Sequence, residues 1–183
     1  MKWLIASDIH GSAYYCRKMT ECFARSGAER MLLLGDVLYH GPRNDLPRDY
    51  SPRDTAELLN ALDGVVGVRG NCDAEIDQVM LTFPMMAEYA LLCDNGMTVF
   101  ATHGHVYGPD CLPPLRRGDI LLSGHTHVPA HTERDGVFFI NPGSAAIPKG
   151  GSRHSCMTLD EGVFHWIDLD SGEEYDRFAP GEP

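Results

Sequence analysis

Asp8-Ile9-His10, Asp36, Asn71, His103 and His125-Thr126-His127 are the residues whose types and placement could act together. Each follows a short apolar run, so each falls at a strand end or in the loop just beyond it. Carboxylate, imidazole and amide oxygen make a donor mixture that a hard or borderline divalent ion accepts. Asp36 is the central member. Residues 31–34 read as a short, fully buried strand, and Gly35 frees the backbone to turn so that Asp36 emerges at its C-terminal end. A carboxylate there can be shared between two cations, at the spacing that two-ion chemistry uses. Side chains alternate along an extended segment, so Asp8 and His10 are expected to point the same way and hold one ion together.

The elements that must position these residues are legible as alternating patterns. Residues 2–7 form a first buried strand. Ser12 then caps a helix with Cys16, Met19 and Phe23 on its apolar face, stopping near Gly27. The strand of residues 31–34 is followed by a Gly- and Pro-containing loop, 39–50, in which Arg43 offers a guanidinium suited to a phosphate oxygen. Ser51-Pro52-Arg53-Asp54 starts a second helix, with Leu58, Leu59 and Leu62 inward and Gly64 at its end. Residues 65–68 make a third strand, running into Arg69-Gly70-Asn71-Cys72-Asp73. This β-α-β-α-β rhythm implies parallel pairing with right-handed crossovers, which gathers the strand ends on one edge.

After that the rhythm changes. Residues 85–93 and 97–102 read as a hairpin about Asp94-Asn95-Gly96, and residues 119–123 as a strand leading into Gly124-His125-Thr126-His127. The last third reads as a meander of strands at 130–134, 137–140, 155–160, 163–168 and 173–178, interrupted by a loop at 141–151. His105 beside His103 is equally well an orienting group or an ordinary loop histidine. His40 is a candidate for facing the substrate pocket, and Lys149, in a glycine-rich loop, is a candidate for attracting anions but reads first as a solvated loop lysine.

A chain of 183 residues suits one domain with one core. The net charge of −11 and the absence of a basic stripe argue against a nucleic-acid groove. No run is long enough for a membrane span. The six scattered cysteines, without a Cys-x-x-Cys pair, fit thiols in a reducing cytoplasm. The C-terminal strands offer an edge through which a homo-oligomer could pair.

As an ordered set, Asp8-Ile9-His10, Gly35-Asp36, Gly70-Asn71, His103 and Gly124-His125-Thr126-His127 resemble the motifs of the calcineurin-like metallophosphoesterases. The short length, the Asn71-Cys72-Asp73 variant, the loop from His40 to Asn44 and Asn141-Pro142-Gly143-Ser144 look most like the small bacterial phosphodiesterases of that family. The resemblance implies an α/β fold, a two-sheet β-sandwich flanked by helices in four α-β-β-α layers. It implies one ion on Asp8, His10, Asp36 and His127, and a second on Asp36, Asn71, His103 and His125. The ions implied are Mn foremost, with Fe, Zn, Co or Ni also suited to these donors. The implied reaction is hydrolysis of a small phosphodiester by a metal-bridging hydroxide, with Asp36, Asn71 and His103 at its centre and no protein nucleophile.

Many relatives carry His where this chain has Cys72, a poorer proton donor near neutral pH, so substrates whose leaving group departs readily are expected. Two divalent ions, two carboxylates and a hydroxide leave a site charge of roughly +1, matched to a diester monoanion. The competing readings are a protein-binding scaffold of the same fold, which the retained His10 disfavours, and a nuclease or protein phosphatase, which acidity, size and Cys72 disfavour.

Overall fold

In the computed structural model, residues 1–94 and 96–181 are described, so Asn95 of the expected Asp94-Asn95-Gly96 turn lies outside them. The order is β1 (Trp3–Ala6), α1 (Ala13–Ser26), β2 (Arg30–Leu33), α2 (Pro52–Asn60), β3 (Val65–Gly67) and α3 (Glu75–Met80). There follow β4 (Tyr89–Asp94), β5 (Met97–Thr102), β6 (Ile120–Leu122), β7 (Ala130–Arg134), β8 (Val137–Asn141), β9 (Ser155–Asp160), β10 (Val163–Asp168) and β11 (Glu174–Phe178).

Local chemistry explains both crossover helices. Ser12 is extended and its hydroxyl accepts the amide of Tyr15, while Gly27 closes α1 in the left-handed conformation that a side chain would resist. Tyr15, Cys16, Met19 and Cys22 form the buried face, with Phe23 half-buried beside them. Ser51 caps α2 by accepting from Asp54, and Pro52 occupies the first helical position, where its missing N–H does no harm. The helix ends at Asn60, short of Gly64. Gly64 instead turns the chain into β3, its carbonyl accepting from Met31 at 3.1 Å.

The first sheet runs β11-β10-β9-β1-β2-β3 and the second β4-β5-β6-β8-β7. β1, β2 and β3 pair in parallel, as do β5, β6 and β8. One core lies between the sheets, where Ile5, Leu32, Leu34 and Trp166 meet Val99, Ala101, Ile120 and Leu122. A second lies between the first sheet and the helices, where Leu4, Met31 and Leu33 meet Cys16, Met19 and Leu59. The fold is thus a two-sheet sandwich with flanking helices. The irregular segment 103–119 packs on part of the outer face of the second sheet, with the ring of Tyr107 edge-on to Phe100 at 5.4 Å.

The C-terminal strands do not form one meander. β7 and β8 join the second sheet, whereas β9, β10 and β11 join the first, with β9 antiparallel to β1. The turns at Asp135-Gly136 and Glu161-Gly162, with positive φ at both residues, are the tight hairpins their sequences suggest. Such turns dictate only which neighbours pair. Which sheet each hairpin joins depends on residues 142–154 crossing between the sheets. α3 carries no strong sequence signal, since Ile76, Val79 and Met80 face solvent. Residues 85–88 stay outside the β4 ladder, and Ala87 bridges to Val68, just beyond β3.

Candidate metal centre

The parallel strands all deliver their C-terminal loops to one end of the sandwich. Asp8 and His10 follow β1, Asp36 follows β2, Asn71 follows β3, His103 follows β5, and His125 and His127 follow β6. Asp8 and His10 do converge, with His10 Nε2 at 3.6 Å from Asp8 Oδ1, but strand alternation is not the reason. β1 has already ended, and both residues are left-handed, at φ +56° and +49°. Asp36, His125 and His127 share that conformation, at +52°, +66° and +62°. Each such residue costs about 1–2 kcal/mol of backbone strain. Bonds between loops hold the strain in place: Asp8 N donates to Gly35 O, His10 N to Asp36 O, Gly11 N to Val37 O, and His125 N to the Asp8 carboxylate.

Close approach dictates the glycines of two motifs. A Cβ on Gly70 would lie 2.1 Å from Asp36 Oδ1, and one on Gly124 would lie 1.8 Å from Ser7 Oγ. Any side chain at either position pushes a site carboxylate or its loop away.

The donor set suits cations. Nδ1–H of His10, His103 and His127 donates to the carbonyls of Tyr39 (2.8 Å), Leu34 (2.7 Å) and Ile147 (2.6 Å). In the neutral ring this leaves Nε2 as a bare lone pair facing the centre. His10 Nε2 and His127 Nε2 are 3.4 Å apart, and His127 Nε2 is 3.2 Å from Asp8 Oδ1. Asp8 Oδ1 is buried and, among the described residues, accepts no hydrogen bond. Acceptors crowded this way repel one another unless a positive charge sits among them. A second group forms around His103 Nε2, with Asn71 Oδ1 at 3.1 Å, His125 Nδ1 at 3.2 Å and Asp36 Oδ2 at 3.5 Å. Asp36 Oδ2 also lies 3.7 Å from His10 Nε2, so this one oxygen faces both groups.

Cys72 lies close enough to His10 and Asp36 to complete a third grouping. Burial, and then the nearby Asp36 charge, push its thiol up to about 12, so it forms a neutral wall at ordinary pH. Burial opposes ionisation of Asp8, but the close imidazoles of His10 and His127, when protonated, hold its carboxyl well below the usual range. Burial likewise opposes a charged His103, yet Asp36 raises it to about 9. The proton then occupies the lone pair that an ion would take.

This has a measurable consequence. With a folded value of about 9 against an ordinary 6.5, His103 contributes stability that is complete below about pH 6.5 and lost as pH rises through 9. The melting temperature of chelator-treated protein should carry this loss between those values. Saturating divalent ion should invert the slope, because the ion needs the deprotonated ring. Parallel melting curves with and without ion would contradict the arrangement.

A polar cavity of about 440 Å³ opens over the centre. Asp36, Asn71, Cys72, His125 and His127 form part of its wall, and Arg43 and Lys149 also line it. His40 does not; its ring packs edge-on against Tyr39 and Tyr50. His105 sits on the solvent side, its ring 5.3 Å from that of His103.

Supporting residues lie in motifs whose bracing role a sequence reading does not assign. Asp73, 3% exposed, accepts from the amides of Asp36 (2.8 Å), Val37 (2.8 Å) and Gly70 (2.7 Å), tying the β2 loop to the β3 loop. Asn141 donates to Gly124 O and Thr126 Oγ1, and Ser144 Oγ donates to Asp8 O. The Asn-Pro-Gly-Ser motif therefore braces two ligand loops. Its signal was the motif itself, whereas Lys149 was marked only by the glycines that follow it.

Comparisons with known proteins place the chain in a family. The family described as calcineurin-like phosphoesterase superfamily domain matches residues 1–162. Phosphodiesterase YfcE of Escherichia coli K12 is 48% identical over 170 residues, covering 92% of each chain. The solved structure of E. coli YfcE superposes with a TM-score of 0.94 at 44% identity, over 99% of this chain and 100% of that one. Vps29 of Chaetomium thermophilum shares the fold at a TM-score of 0.64 and 17% identity, with complete coverage of both chains. Among the described residues, no helix is long and apolar enough to cross a membrane. The chain belongs to the calcineurin-like phosphoesterase superfamily and is a hydrolase of that family.

Proposed function

We propose that this protein is a two-metal-dependent phosphodiesterase acting on small phosphodiesters. The observation that carries the reading is the pair of inward-facing acceptor groups joined at Asp36 Oδ2. Asp8, His10, Asp36 and His127 would hold one ion, and Asp36, Asn71, His103 and His125 the other. When bound, two divalent ions, Mn²⁺ foremost with Fe, Zn, Co or Ni compatible with the same donors, lower the pKa of a water and neutralise charge on phosphoryl oxygens.

The protein's own contribution is preorganisation. Backbone carbonyls fix the tautomers of His10, His103 and His127, and Asp36 Oδ1 accepts Cys72 N at 2.8 Å, which aims Oδ2 inward. Arg43 and Cys72 are the proposed substrate contacts on the cavity wall. The neutral, weakly acidic Cys72 thiol does little to protonate a leaving group. Esters of acidic alcohols and phenols should react best. The free thiols suit a reducing cytoplasm.

The test is hydrolysis by chelator-stripped protein with Mn²⁺ restored. Bis-p-nitrophenyl phosphate should be cleaved only with metal, and faster than p-nitrophenyl phosphate, whose second charge sits on the reacting phosphorus itself, where two ions, two carboxylates and a hydroxide leave only roughly +1. No turnover with any divalent ion, despite bound metal, would transfer the protein to the scaffold reading. Faster monoester turnover would overturn the diester preference.

A further inference from the structure

The cavity has two cationic side chains, and the proposed mechanism leaves the group they bind unspecified. Arg43 and Lys149 line it from different loops, and among the described residues neither forms an ion pair. Neither position is an accident of a loose loop. Lys149 N donates to His127 O at 3.1 Å, Ser152 Oγ donates to Lys149 O at 2.6 Å, and His127 Nδ1 holds Ile147 O. On the other side, His10 Nδ1 holds Tyr39 O, and Asn44 closes the Arg43 turn through Gly41 O and His40 O. Each cation is thus carried on a turn that is bonded to a proposed metal ligand.

Two divalent ions would already neutralise the reacting phosphoryl group. Two further unpaired cations would overcompensate a simple diester monoanion, and they suit a second negative charge on the substrate. The cavity wall contains no Phe, Tyr or Trp among its described residues. The protein's net charge of −11 makes a local cation pair the means of admitting a dianionic substrate, because more distant charges are screened beyond roughly 8–10 Å.

We infer that Arg43 and Lys149 form a subsite for a second anion, carboxylate or phosphate, on one ester substituent of the phosphodiester. This inference rests on the diesterase reading and names its substrate class: small, polar diesters bearing a further acid group.

The test uses four p-nitrophenyl phosphodiesters with a common leaving group, the other substituent being ethyl, 2-carboxyethyl, 2-phosphonoethyl or 2-(trimethylammonio)ethyl. With Mn²⁺-loaded wild-type protein, kcat/KM for at least one anionic ester should exceed that for the ethyl ester by about tenfold, chiefly through KM, and the cationic ester should be poorest. The better of the carboxylate and phosphonate esters identifies the second anion. In Lys149→Gln and Arg43→Gln the anionic-to-ethyl ratio should fall, and in the double variant it should approach one. Turnover of the ethyl ester without an anionic preference, or a preference that survives in the double variant, overturns the subsite alone. Failure to cleave all four esters overturns the diesterase reading and the subsite with it.

Discussion

Replacing Asp36 with Asn is expected to lower turnover of bis-p-nitrophenyl phosphate by roughly 10³-fold or more while leaving the fold intact. The size of the effect follows from position. Asp36 Oδ2 stands 3.7 Å from His10 Nε2 and 3.5 Å from His103 Nε2, so its charge serves both acceptor groups at once. An amide keeps the shape but removes that charge, and affinity should fall at both ion positions together. The fold should survive for two reasons. Residue 36 is left-handed at φ +52°, a conformation that Asn tolerates better than most residues. The Asn carbonyl can also keep the bond from Cys72 N that Oδ1 now accepts. Turnover, metal content and a thermal melt on one preparation decide the matter. Wild-type turnover with two bound ions would remove Asp36 from the bridging position.

Asp73→Asn should act differently, on stability and metal binding together. Its carboxylate is filled by three backbone amides, from Asp36, Val37 and Gly70, and it has no contact with the acceptor centre to lose. An Asn side chain turns one acceptor into a donor, so at least one buried N–H faces an NH₂ group. An unsatisfied buried donor costs about 1–3 kcal/mol, which for a chain of this size lowers the melting temperature by roughly 2–12 °C. The same bonds hold the turn bearing Asp36 against the turn bearing Asn71, so ion affinity should weaken by about tenfold or more. Raising Mn²⁺ should restore part of the activity of Asp73→Asn and little of that of Asp36→Asn. This separates a residue that positions the ligands from one that is a ligand. A melt within about 2 °C of wild type, with unaltered ion affinity, would show that the three bonds are dispensable.

The two variants also mark what a sequence can reveal. Asp36 was visible because its cue is local: an apolar run, a glycine and then a carboxylate define a strand end whatever the rest of the chain does. The same cue located Asp8, His10, Asn71, His103, His125 and His127, and the β-α-β-α-β rhythm placed the first strand ends on one edge. The helix caps at Ser12 and Ser51 were legible for the same reason, since a cap bonds within its own first turn.

Asp73, Asn141, Ser144 and Lys149 carried no comparable cue. Their partners lie on loops far away in sequence: Asp36 for Asp73, Gly124 for Asn141, Asp8 for Ser144 and His127 for Lys149. The division of the C-terminal strands between sheets was hidden too, because alternation records that a face is buried without recording what buries it. By itself the sequence determined which residues are candidates for the chemistry and that they stand at strand ends. Only the tertiary structure decided how they face one another. The left-handed turns at Asp8, His10, Asp36, His125 and His127 and the inward lone pairs of the histidines depend on bonds between separate loops, and those bonds exist only once both sheets have closed around one end.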